Sequence, residues 1–112
     1  MCGIAGYLGK ETLSKETVVK SLNCMGKRGP DKSRSAKIVS SNGFATNLLF
    51  SRLSIIDLNE RAMQPMETKD FAIVMNGELY NYKVLKKNLE EEFGPQPWFS
   101  ESDVEVALPY IS

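Results

Sequence analysis

The sequence predicts a mixed fold of the α+β class, in which strands and helices alternate without a regular βαβ repeat. Two observations carry this expectation. Apolar residues recur at three- and four-residue spacing in residues 14–25 and again in residues 81–93, which is the period of a helix. Around them lie short apolar runs of strand length, Gly3-Ile4-Ala5-Gly6-Tyr7-Leu8 and Phe71-Ala72-Ile73-Val74-Met75.

Taken in order, residues 3–8 read as a buried strand whose glycines let other backbone approach closely. In residues 14–25, Val18, Leu22 and Met25 form an apolar stripe that Val19 widens, and Ser14 is placed to cap the helix. Residues 27–35 are polar and mostly basic, and read as a loop turning at Gly29-Pro30-Asp31. Two strands are expected next, around 44–49 and 52–58, the second carrying Leu53, Ile55 and Ile56 and ending in a polar turn at 57–61. The run 71–75 is a continuous apolar strand stopped by Asn76-Gly77. A second helix over 81–93 carries Tyr82, Leu85, Leu89 and Phe93 on one face, and a loop with Pro95 and Pro97 follows. Ser102-Asp103-Val104-Glu105 then opens a third helix, which Pro109 should cut short by removing a backbone donor and crowding the previous turn.

Composition narrows the chemistry. A chain of 112 residues is one domain or part of one. Lys and Arg number 14 and Asp and Glu number 14, and this zero net charge argues against nucleic acid or an anionic membrane as partner. The longest apolar runs fall far short of the ~18 residues of a membrane span, so the chain reads as soluble and cytoplasmic. There is no histidine, which excludes a Ser-His-Asp triad, a Cys-His pair and a His-containing zinc site. Two cysteines, Cys2 and Cys24, are too few for a four-cysteine zinc site, and no metal site is expected.

Four places could carry chemistry. Removal of Met1 would leave Cys2 with a free α-amine, and a nucleophile that carries its own base needs no histidine. Position alone favours the plainer alternative, a small hydrophobe in the first strand. Asn76-Gly77 is a tight turn, and the same geometry could aim a side-chain amide and a backbone N–H at an oxyanion. Arg52 is either an edge-strand arginine in water or a fork for a substrate carboxylate. Asp103 is either a favourable acid at a helix N-terminus, within the capping box Ser102-x-x-Glu105, or the partner of a substrate ammonium. The basic stretch of Lys27, Arg28, Lys32, Arg34 and Lys37 lacks interleaved aromatics, and Glu90-Glu91-Glu92 is most simply a solvated helix face.

The order of these signals carries more than any one of them. Met1-Cys2-Gly3-Ile4-Ala5-Gly6, Arg28-Gly29-Pro30-Asp31, Arg52-Leu53-Ser54-Ile55-Ile56-Asp57, Gln64-Pro65-Met66, Asn76-Gly77-Glu78-Leu79-Tyr80-Asn81 and Ser102-Asp103-x-Glu105-Val106 follow one another along the chain. Together they resemble the glutaminase domain of class II glutamine amidotransferases, most closely that of glutamine-hydrolysing asparagine synthetase. Lys27 stands where that family usually has histidine, and Phe50 and Ser51 stand where it usually has histidine and arginine.

The resemblance implies an N-terminal-nucleophile (Ntn) hydrolase αββα sandwich, incomplete at its C-terminus, with residues 1–112 forming the N-terminal portion of the glutaminase domain. It implies hydrolysis of glutamine to glutamate and ammonia, with Cys2 attacking the side-chain amide. Asn76 and Gly77 would form the oxyanion hole. Arg52 would hold the α-carboxylate, Asp103 with Glu78 the α-ammonium, and the backbone at Ile55 and Ile56 would line the pocket. A glutamine- or partner-binding remnant without turnover is the alternative. No cofactor is implied for the glutaminase step. ATP and Mg belong to a synthetase domain, whose Ser-Gly-Gly-x-Asp segment this chain does not contain. The implied partners are glutamine, a synthetase domain or subunit in trans, and a second copy of the chain that would complete the sheets. An incomplete sandwich should leave one sheet face exposed.

Overall fold

The computed structural model describes residues 2–53 and 60–111. Its largest feature is a three-stranded antiparallel sheet of β1 (Gly3–Gly9), β2 (Lys32–Val39) and β3 (Ala45–Arg52), in the spatial order β1-β3-β2. The central strand β3 pairs Gly3 with Ser51 on one side and Lys32 with Arg52 on the other. Strands β2 and β3 are joined by a hairpin in which Gly43 N–H donates to the Ser40 carbonyl at 3.0 Å. Gly43 has φ 84°, a left-handed conformation that costs glycine nothing because it has no Cβ.

Helix α1 (Lys15–Met25) is capped by Ser14, whose Oγ accepts from Thr17 N–H at 3.1 Å. A Cβ on Gly3 would sit 3.0 Å from Met25 Cβ, so the helix lies against the sheet face shared by Gly3, Leu49 and Ser51. The apolar stripe predicted for this helix is only half covered: Val18, Leu22 and Met25 are intermediate in burial and Val19 is exposed.

The opposite sheet face carries Ile4, Leu8, Ala36, Ile38, Leu48 and Phe50. Near Phe50, which is buried, it is covered, but Leu8 is 69% exposed, Ile4 45% and Ile38 37%. The molecule is accordingly a slab of 45 × 35 × 18 Å with a radius of gyration of 15.0 Å. A compact chain of this length would have a radius nearer ~13 Å.

The second part of the chain builds its own small core. A 3-10 turn (Glu60–Ala62) leads into β4 (Met66–Glu67), which pairs antiparallel with β5 (Ala72–Ile73). Helices α2 (Tyr82–Phe93) and α3 (Asp103–Ile111) follow, joined where Tyr110 Oη donates to the Leu85 carbonyl at 3.1 Å. Ala62, Met66, Val104 and Leu108 form one buried cluster, with Ile73 and Met75 packed against it. Among the described residues, no helix is long and apolar enough to cross a membrane.

Four expectations change. The basic loop predicted for 27–35 gives way at Lys32 to strand β2, whose exposed Lys32, Ser33, Arg34 and Lys37 had hidden its strand character. A sheet edge with water on most of its surface needs no apolar alternation, and lysines there discourage pairing with other chains. The strand expected around 44–49 runs on as β3 through Arg52, the first residue of the second expected strand (52–58), because Phe50 and Ser51 stay in the ladder with Ile4 and Gly3. Residues 54–58 of that second expected strand, with Ile55 and Ile56, lie outside the described residues, as do positions 57–59 of the polar turn. The strand expected over 71–75 shrinks to Ala72–Ile73, because Met75 N–H leaves the ladder for the Gln64 side chain.

Helix α3 also passes through Pro109 instead of stopping there. A proline removes one helical hydrogen bond and crowds one carbonyl. Burial of Val104, Val106 and Leu108 in the preceding turns offsets that local cost.

Candidate active site

Hydrogen bonds among the described residues gather the predicted site into two clusters. The first lies where β1 begins and β3 ends. Cys2 precedes the Gly3–Ser51 pair and Arg52 follows it, so the antiparallel register sets them across from each other. Cys2 Sγ accepts from Leu53 N–H at 3.3 Å and reaches back to the Leu53 carbonyl at 3.5 Å. Its carbonyl accepts from Arg28 Nε at 3.4 Å. Arg52 is buried, at 6% exposure, at the end of the central strand.

The Arg28-Gly29-Pro30-Asp31 segment is built into this cluster. Asp31 N–H donates to the Arg52 carbonyl at 2.9 Å. Gly29 lies so close to β3 that an added Cβ would stand 2.1 Å from the Ser51 carbonyl oxygen and 2.6 Å from Arg52 N. One short turn therefore holds both the chain start at Cys2 and the strand end at Arg52. Phe50 and Ser51 are both buried within β3.

The second cluster joins residues 64, 75–79 and 99–105. The buried Gln64, which precedes a cis peptide bond to Pro65, accepts from Met75 N–H through Oε1 at 2.6 Å. It thereby fastens the chain immediately before Asn76. Asp103 Oδ2 accepts from Leu79 N–H at 2.6 Å, although 24 positions separate the two residues. Asp103 is 4% exposed, Asn76 is half-buried, and Gly77 and Glu78 are exposed. An added Cβ at Gly77 would meet nothing within 4 Å, so its backbone borders open space.

The capping box forms with one arm displaced. Ser102 Oγ accepts from Val104 N–H at 3.3 Å, as a cap should. The Glu105 carboxylate does not return to Ser102 N–H. It reaches past it to Phe99 N–H at 2.7 Å and Ser100 N–H at 2.8 Å.

Sequence reading missed the positions of Arg28, Gln64 and Glu105. All three lie in segments it had singled out, but their partners are distant or outside the expected motif. Ile55 and Ile56 lie outside the described residues. A cleft of about 350 Å³ between Arg34, Arg61, Met66, Glu67 and Phe99 contains none of the predicted site residues. Among the described residues, no three His, Cys, Asp or Glu side chains gather as a metal site.

Comparison with known proteins decides the family. All of residues 1–112 match the family described as the glutamine amidotransferase domain. The chain belongs to this family.

Its relatives are much longer than this chain. It is 35% identical to a probable glutamine-hydrolysing asparagine synthetase of Acanthamoeba polyphaga mimivirus, over 100% of this chain and 20% of the relative. It is 36% identical to a putative glutamine-hydrolysing asparagine synthetase of Methanocaldococcus jannaschii, over 96% of this chain and 23% of the relative. It is 32% identical to the amidase chyE of Penicillium rubens, over 96% of this chain and 17% of the relative. The chain thus spans about a fifth of the length of these relatives and matches the N-terminal part of the asparagine synthetases. No solved structure matches it significantly.

Proposed function

We propose that this chain hydrolyses glutamine to glutamate and ammonia, with Cys2 as an N-terminal nucleophile once Met1 is removed. The observation that carries the proposal is the convergence of Cys2, Arg28, Gly29 and Arg52 at one end of the sheet. It occurs in an amidotransferase domain with no histidine to serve as base. The Cys2 α-amine fills that role, taking the thiol proton as sulfur attacks the amide carbon and delivering it to the departing ammonia. Water then cleaves the thioester to release glutamate.

Arg52 binds the substrate α-carboxylate with a planar fork of donors. Asp103, with help from Glu78, receives the α-ammonium. The Asn76 side chain and Gly77 N–H stabilise the tetrahedral oxyanion, and the backbone at Ile55 and Ile56 lines the pocket. The fold we infer is the Ntn αββα sandwich. Its support is a sheet with a helix on one face and exposed apolar residues on the other. The ammonia acceptor is a synthetase domain acting on aspartate, in a longer protein or in trans, in keeping with the names of the relatives.

The test compares glutamate release by the chain with Met1 removed, verified by intact mass, against a form that retains Met1. The processed chain is expected to release glutamate. The retained form should be inactive, because Met1 blocks the amine that moves the proton. Equal activity of the two forms, or none in the processed one, overturns the proposal.

The oxyanion hole gives a second expected result. Asn76→Ala should lower kcat by about 10²–10³-fold with little change in KM, since the donor acts on charge that develops only after attack. Steady-state kinetics of the processed chain checks this. The exposed Leu8, Ile4 and Ile38 also favour a second reading, a partner-binding module that holds glutamine without turnover. That reading predicts calorimetric glutamine binding with no glutamate formed.

A further inference from the structure

We infer that Glu105 is a positioning residue that holds Asp103 in place to receive the α-ammonium of glutamine; the inference rests on the glutaminase reading above. Glu105 is 4% exposed, and the proposed mechanism gives it no role. Its Oε1 accepts from Phe99 N–H at 2.7 Å. Its Oε2 accepts from Ser100 N–H at 2.8 Å and from the Ser100 hydroxyl at 2.5 Å. A buried carboxylate is costly unless its oxygens are occupied, and here both are.

The network continues on both sides of Asp103. Ser100 Oγ accepts from Ser102 N–H at 3.2 Å, and Ser102 Oγ accepts from Val104 N–H at 3.3 Å. The backbone N–H groups of 99, 100, 102 and 104 therefore all end on side chains of 100, 102 or 105. Asp103 lies between the tethered Ser102 and Val104, and its Oδ2 meets Leu79 N–H at 2.6 Å. That bond ties the start of α3 to the segment bearing Asn76 and Gly77. Glu105 thus anchors the frame from which Asp103 reaches that segment, and a displacement on the order of 1 Å can cost a binding group most of its effect.

Glu105→Gln tests this with little change in volume. It places an amide NH2 where a carboxylate oxygen now accepts. The expected result is a rise in KM for glutamine of about ten-fold, with kcat changed less than about three-fold, because the ammonium contact is the same before and during reaction. In an Asp103→Asn background the same substitution should change KM less than about two-fold, because its effect passes through Asp103. Ser100→Ala removes one of the three donors and should act in the same direction by about two- to three-fold. It serves as the readable variant should Glu105→Gln fold poorly.

Hydrogen exchange supplies a readout independent of turnover. In Glu105→Gln the Leu79 amide should exchange at least about ten-fold faster, while amides of β3 keep their protection. Unchanged Leu79 exchange, or additive KM effects of the two substitutions, overturns the positioning role. Absence of glutamate release by the processed parent chain overturns the glutaminase reading instead, so the two failures are distinguishable.

Discussion

Cys2→Ala is expected to abolish glutamate release, lowering kcat by roughly 10⁴-fold or more, the scale seen when a covalent mechanism loses its nucleophile. The loss should be chemical and not structural. Cys2 Sγ makes two sulfur hydrogen bonds to Leu53, at 3.3 and 3.5 Å, and the side chain is only partly buried. Removing it leaves β1 paired with β3 from Gly3 onward. The thermal midpoint should therefore move by only a few degrees, on the order of 1 kcal/mol of stability. Cys24, exposed on α1, provides the control: Cys24→Ala should leave the rate unchanged. Glutamate release by Cys2→Ala at the parental rate would sink the assignment of Cys2 as nucleophile.

Gly29→Ala should have the largest effect on stability. The new Cβ would lie 2.1 Å from the Ser51 carbonyl oxygen and 2.2 Å from its carbon. Both are backbone atoms of the central strand, so no side-chain rotation relieves the clash. Either β3 moves away from β1 and β2, or the 28–31 turn lifts off it. Overpacking of this kind costs about 3 kcal/mol, a large share of the ~5–15 kcal/mol that holds a domain folded. The thermal midpoint should fall by roughly 10–15 °C in a circular dichroism melt. Gly77→Ala is the comparison, since its Cβ meets nothing within 4 Å. It should shift stability by about 0.5 kcal/mol at most. A Gly29→Ala protein as stable as Gly77→Ala would show that the turn is not pressed against β3 as described.

The elements legible in the sequence are those whose burial repeats along the chain. Ser14 caps α1 and the 3.6-residue period marks it, although its stripe is only half covered. Helix α2 begins at Tyr82 and ends at Phe93, within one residue of the span its apolar spacing predicts. Phe93 nevertheless points to water at 67% exposure, since a period identifies a face without saying how far the packing extends along it. Strand β2 left no such trace. Its residues are exposed except Ala36, and its strand state comes from pairing with β3, which the local sequence does not encode.

Residue types excluded histidine-based chemistry, and the resemblance carried by the order of the motifs nominated Cys2, Arg52, Asn76, Gly77 and Asp103. How those residues are held was not written in any local pattern. Arg28 meets Cys2 across 26 positions, Asp103 meets Leu79 across 24, and Cys2 meets Leu53 across 51. Glu105, five or six positions from the N–H groups that donate to it, is half of a capping-box motif in the sequence, yet its carboxylate fastens the preceding turn. Pro109 carried a local penalty that the burial of Val104, Val106 and Leu108 outweighed. A hydrogen bond or a packed contact between distant segments depends on where the rest of the chain lies, so it exists only after folding has brought the partners together.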